Sequence, residues 1–167
     1  MSDRPADALT SSERSTVRSV LAYQFDVEVG HRLLDSVEIT KVTRSRSGRL
    51  DRIYVEKGRV GTLTTHGRFT LGLAGGFALH SITDPPAHRV IIDDEAIPFV
   101  AEEKNAFAKF VVSVDPLIRP NDEVLIVDRE DELIAVGRAE LSAAGMSAFD
   151  RGMAVSVRRG VGPIEDD

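Results

Sequence analysis

The chain has 167 residues, 42% of them hydrophobic, enough for one globular domain or two small ones around a real core. It contains no cysteine, which excludes a disulfide framework, a zinc ribbon, a thiol nucleophile and any cysteine-ligated cluster, and no apolar run approaches a membrane span. The net charge of −6 is divided unevenly, with net +3 on residues 1–83 and net −9 on residues 84–167.

Residues 1–12 are polar, rich in Ser, Thr and Asp, and lack the apolar core of a signal peptide, so they are expected to form a disordered leader of a soluble, cytoplasmic protein. Val17, Val20 and Leu21 recur at helical spacing and predict a first helix over about 12–24, followed by a short helical turn over residues 31–34. Three turn signals follow at near-regular spacing, Ser47-Gly48, Lys57-Gly58 and His66-Gly67, between stretches rich in β-branched residues. This is the pattern of an antiparallel meander. Alternation at Val37 and Ile39, and again at Phe69, Leu71 and Leu73, predicts strands with one buried and one exposed face. Residues 76–81 read as a short helix, and Asp84-Pro85-Pro86 marks a domain boundary.

The second half reads as short strands over residues 88–92, 108–114, 123–127, 133–139 and 153–157, which are barrel proportions. Val124 to Val127 and Leu133 to Val136 are continuous apolar runs, implying strands covered on both faces. Asp93 or Asp94 can cap a helix running to about residue 102, and Ser142 one running to Phe149. Residues 161–167 close the chain as an acidic tail.

Between residues 41 and 68 there are eight basic residues and two acidic ones. Arginine outnumbers lysine 17 to 4, which suits phosphate contact because a guanidinium offers a planar fork of donors. An acidic, lysine-poor surface is also halophile-like, and a solvated strand face would explain the same cations without a ligand. The four histidines show no metal-ligand spacing, Asp93-Asp94-Glu95 is explained by capping and the helix dipole, and Gly72-Leu-Ala-Gly-Gly76 lacks a phosphate-cradling pattern and reads as close packing. No catalytic residue, metal or organic cofactor is expected.

Several stretches together resemble a known domain: Arg89-Val-Ile-Ile-Asp-Asp-Glu-Ala-Ile-Pro-Phe-Val100, Asn105-Ala-Phe-Ala-Lys-Phe-Val-Val112, Asp115-Pro-Leu-Ile-Arg-Pro-Asn-Asp-Glu-Val124 and Ala135-Val-Gly-Arg-Ala139. They look like a PUA domain, a small RNA-binding pseudobarrel. Tyr23-Gln-Phe25 with Thr43-Arg-Ser-Arg-Ser-Gly-Arg49 resembles the small domain that precedes it in archaeal tRNA-guanine transglycosylase. The resemblance implies an α+β chain: an α/β pre-PUA domain with a meander over residues 13–84, then a PUA-type β pseudobarrel over 87–160. Two departures stand out. The loop glycine usual before the Asn-x-Phe-Ala-Lys-Phe strand is replaced within Glu102-Glu103-Lys104, and the usual Pro-Gly-Asp is Pro120-Asn121-Asp122.

By this resemblance the ligand is tRNA or another structured RNA, gripped in the second half by Lys104, Asn105, Lys109, Arg158 and Arg159. In the first half Arg44, Arg46, Arg49 and Arg52 are expected to contact phosphates. Strand alternation turns Lys109 and Phe107 outward from Phe110, and Phe107 suits either base stacking or a core position. The chain lacks the catalytic barrel and zinc-site cysteines of the transglycosylase, so the expectation is a non-catalytic, stand-alone RNA-binding protein supporting RNA modification. The alternative is an interaction subunit of a separate tRNA-modifying enzyme with little RNA affinity, motivated by Glu103 and the acidic second half.

Overall fold

The computed structural model describes residues 8–164. The chain divides into two compact units, Met1–Ile82 and Thr83–Asp167.

The first unit opens with α1 (Ser11–Gln24), α2 (Val27–Arg32) and a 3-10 turn over Leu34–Ser36. Thr10 starts α1 through a reciprocal capping box: its hydroxyl accepts from the Glu13 amide at 3.1 Å, and its own amide donates to Glu13 Oε1 at 2.9 Å. The expected disordered leader is therefore corrected over residues 8–12, because Leu9 is buried and Thr10 and Ser11 already belong to the helix start. Residues 1–7 lie outside the described part.

Four strands follow, β1 (Lys41–Arg44), β2 (Leu50–Val55), β3 (Gly58–Leu63) and β4 (Phe69–Leu71), paired antiparallel in sequence order. Gly48 and Gly67 sit at φ 84° and 76° in two of the three connecting turns, the left-handed conformation that made these dipeptides legible as turns. The strand expected around Val37 and Ile39 does not form; pairing begins at Lys41, and residues 37–40 carry no strand assignment. α3 (Leu73–Ile82) starts directly after β4, so Leu73 belongs to a helix and not to the alternating strand. This helix lies tightly on β3: a Cβ added to Gly75 would sit 1.9 Å from the Val60 carbonyl oxygen. The Gly72 to Gly76 stretch is close packing, as its composition suggested.

The second unit contains β5 (Arg89–Ile92), α4 (Ile97–Ala101), β6 (Ala106–Phe107), β7 (Val111–Val114), β8 (Glu123–Val127), β9 (Leu133–Ala139), α5 (Ala143–Ala148) and β10 (Met153–Gly160). The strand order is β6-β10-β9-β8-β5-β7, a nearly closed six-stranded pseudobarrel in which only the β5–β8 pair is parallel. β8 is buried at every position and β9 at every position except Arg138, as continuous apolar runs demand. Val90, Ile92, Val124, Ile126, Ala135 and Val155 form the heart of the core.

Asp93 caps the segment before α4 by accepting from the Glu95 amide at 3.1 Å, and Ser142 caps α5 through the Gly145 amide at the same distance. The cap signals were correct, but the segment after Asp93 is a 3-10 turn over Asp94–Ala96 followed by a short α-helix. The single strand expected over 108–114 is broken by a 3-10 turn at Ala108–Phe110. That turn shifts the strand phase, so Val112 is exposed while Val111 and Val114 pack on the core. The start of the expected tail is tied down, the Val161 amide donating to the Ile134 carbonyl at 3.0 Å and the Gly162 amide to the Ala101 carbonyl at 2.8 Å.

Candidate nucleic-acid interface

The four arginines singled out in the first unit do not form one set. Arg44 is half-buried and grips Glu13 with two bonds, Nε to Oε2 at 2.9 Å and Nη2 to Oε1 at 2.7 Å, while Nη2 also reaches the Ala8 carbonyl at 2.9 Å. That guanidinium beside Glu13 holds its carboxyl down from the ordinary 4.5 to about 2. Arg49 is likewise turned inward, its Nη1 donating to the Leu63 carbonyl at 3.2 Å. Both are structural groups. Arg46 is exposed at the β1–β2 turn, and Arg52 is exposed on the sheet with its Nε 3.8 Å from Asp51 Oδ2.

The outward face of this sheet follows from the strand pairings. Val42 and Ile53 face the core, so Lys41 and Tyr54 face away, paired across β1 and β2, and Arg59 pairs with Tyr54 from β3. Lys41 Nζ lies 5.2 Å from the Tyr54 ring centroid, and Arg59 Nη1 donates to Thr62 Oγ1 at 2.7 Å on the same face.

In the second unit the loop after α4 carries Glu103 at φ 73°, a backbone conformation suited to glycine, and Asn121 takes φ 74° at the other departure from the usual motif. Lys104 is exposed beside it. Arg159, also exposed, has its Nη1 3.5 Å from Glu103 Oε1, which places β10 and this loop side by side. Asn105 fixes that arrangement, because its side-chain oxygen accepts from the Val157 amide at 3.0 Å. Lys109 is exposed with Nζ 4.9 Å from the Phe110 ring centroid, and Phe107 is 45% exposed, which rules out the core position for its ring.

Arg158 differs from its neighbour. It points onto Glu123, which is 4% exposed, and both of its terminal nitrogens meet the carboxylate, one of them at 2.9 Å. It is a structural ion pair of the barrel. Sequence reading also passed over Arg89, only 1% exposed: its Nε donates to Asp131 Oδ1 at 2.7 Å, and its Nη1 donates to the Thr83 hydroxyl and the Ala87 carbonyl. Among the described residues no group of three His, Cys, Asp or Glu side chains is arranged to hold a metal. Among the described residues no helix is long and apolar enough to cross a membrane.

Residues 88–161 match the PUA domain, and residues 15–86 match the patch-forming domain C2 of tRNA-guanine transglycosylase. The chain is a C2 domain followed by a PUA domain. It is 41% identical over 150 residues to the tRNA-guanine(15) transglycosylase of Thermococcus kodakarensis and 39% identical over 153 residues to that of Methanothermobacter thermautotrophicus. These matches take in 89% and 90% of this chain but only 25% and 23% of the relatives. A solved hypothetical protein of Pyrococcus horikoshii shares the fold at TM-score 0.71 and 22% identity, covering 91% of this chain and 92% of its own. A solved PUA domain protein of Thermoplasma acidophilum shares it at TM-score 0.64 and 19% identity, covering 91% of each. The C2 domain thus carries Arg46, Arg52 and the Tyr54 face, and the PUA domain carries Lys104, Lys109, Arg159 and Phe107.

Proposed function

We propose that this chain binds tRNA at the acceptor arm, by shape and phosphate contacts, and works as a non-catalytic RNA-binding protein beside a separate tRNA-modifying enzyme. The observation that carries this reading is the ordered match of both domains to the part of tRNA-guanine transglycosylase bearing C2 and PUA, at about 40% identity. The interface would be the PUA loop and strand face, with Lys104, Lys109 and Arg159 on phosphates and Phe107 placed to stack on an unpaired base. Arg46 and Arg52 would add phosphate contacts from the C2 domain. Asn105, Arg158, Arg44 and Arg49 support the scaffold. The reading needs no metal or organic cofactor.

Titration of labelled total tRNA from low salt to molar KCl tests it. The expected result is an affinity whose logarithm falls linearly with the logarithm of salt, with a slope of several phosphates. Exchange of Lys104 and Lys109 for Glu should weaken binding and flatten that slope by about two. Parental binding by the double variant would overturn the assignment of this face.

One observation favours a second reading, an interaction subunit with little RNA affinity of its own: Glu103 places a carboxylate within 3.5 Å of Arg159. Co-elution with a tRNA-modifying enzyme on gel filtration, without salt-dependent tRNA binding, would decide for that reading.

A further inference from the structure

The outward face of the C2 sheet offers a second kind of surface. Its side chains fall into two cross-strand rows. Lys41, Tyr54 and Arg59 form one through their strand pairings, and Arg52, Thr62 and Thr70 form the next. These two rows contain three cations, one phenol ring and two threonine hydroxyls, and no carboxylate; Asp51, 3.8 Å from Arg52, lies at their border. The Tyr54 hydroxyl beside Arg52 also raises the pKa of that guanidinium, so the ring and the cation are close neighbours.

We propose that this face is a binding site for unpaired RNA nucleotides, with a base stacked on Tyr54 and the flanking phosphates held by Lys41, Arg52 and Arg59. Three physical points carry it. An aromatic ring among cations is the arrangement that holds single strands, because every base has a π-face and every linkage a phosphate. A half-buried ring lying on a sheet does not project into a duplex groove, so only a base already out of its stack can reach it. Lys41 now lies over the ring, and an exposed cation–π contact is weak enough to yield to a stacking base while the ammonium moves to a phosphate. The inference rests on the RNA-binding reading and adds a ligand class, single-stranded RNA, and a site in the other domain.

The chain has two tyrosines and no tryptophan, so a full-length Tyr23→Phe variant leaves Tyr54 as its one fluorescent reporter. Titration with a single-stranded uridine hexamer should quench that emission, and a blunt RNA duplex of equal length should not. In the parental chain Tyr54→Leu should weaken hexamer binding by about tenfold or more and leave the melting temperature unchanged. Arg52→Glu, at an exposed position, gives a second reading of the same site with the same direction of effect. Hexamer binding without quenching, or equal hexamer affinity in Tyr54→Leu and Arg52→Glu, overturns the proposal. If tRNA binds with salt dependence and the hexamer does not, the sheet site falls and the RNA-binding reading stands. If neither binds at any salt, both fall.

Discussion

The side-chain amide of Gln24 meets both backbone polar groups of Phe69, donating to its carbonyl at 2.7 Å and accepting from its amide at 2.8 Å. Phe69 lies on β4, an edge of the C2 sheet, where such groups would otherwise be open to another chain. One glutamine at the end of α1 stands in for a missing strand. Gln24→Ala should lower the stability of the C2 domain by about 1–2 kcal/mol in urea unfolding and speed hydrogen exchange at the Phe69 amide. Unchanged exchange there would show that the pair does not close the edge.

Arg89 and Asp131 form an ion pair of the PUA domain in which the guanidinium is 1% exposed and the carboxylate 31%. Removing the carboxylate takes this counter-ion from the buried cation and leaves it the Thr83 and Ala87 oxygens, at a cost of about 2 kcal/mol for Asp131→Ala. Asp131→Asn, which tolerates the local φ of 62° and keeps an acceptor, should lose less. Denaturant midpoints of the two variants against the parent measure the difference.

Glu13 makes the C2 domain sensitive to acid. Its carboxyl titrates near 2 when folded and at the ordinary 4.5 when unfolded, chiefly because Arg44 hydrogen-bonds to it. The contribution is therefore full above about pH 4.5 and lost as pH falls toward 2. At about 1.4 kcal/mol per pKa unit this shift is worth a few kcal/mol, which solvent screening of the pair cuts to about 1–2 kcal/mol. Between pH 6 and 2.5 the parent should lose that much more urea stability than Glu13→Gln; parallel curves would remove Glu13 from the account.

Glu103 sits at φ 73°, where a side chain costs backbone energy, and its carboxylate faces Arg159. Glu103→Gly should raise stability by about 0.5–1 kcal/mol. It should also tighten tRNA binding and steepen the salt slope by about one, because Arg159 loses its internal counter-ion. Weaker tRNA binding by this variant would mean that the loop contacts RNA in another way.

The elements best read from the chain were those fixed by neighbours in sequence. Ser47-Gly48 and His66-Gly67 mark turns because their glycines must take positive φ, and Asp93 and Ser142 mark helix starts because a cap acts within three residues. What escaped was fixed at a distance. Nothing near Arg44 announces Glu13, 31 residues away, nor does Arg158 announce Glu123, 35 away, so cations that looked available for phosphate are committed to carboxylates. Val37 and Ile39 alternate as a strand would, but a strand also needs a partner, and pairing starts only at Lys41. Tyr54 escaped because its importance lies in its cross-strand neighbours Lys41 and Arg59, which composition does not place beside it.

The parallel pairing of β5 with β8 also bears on the order in which the barrel assembles. β8 and β9 are joined by a short turn in which Asp128 accepts from the Glu130 and Glu132 amides, both at 2.9 Å, so this hairpin closes at small entropic expense. β5 can pair with β7 earlier, but its parallel pairing must wait for β8, which lies beyond α4, β6 and β7. Refolding should then be slowed by substitutions at Asp128, while those at Val90 should mainly hasten unfolding. The parallel seam between the first strand of the domain and β8 would be among the last to close.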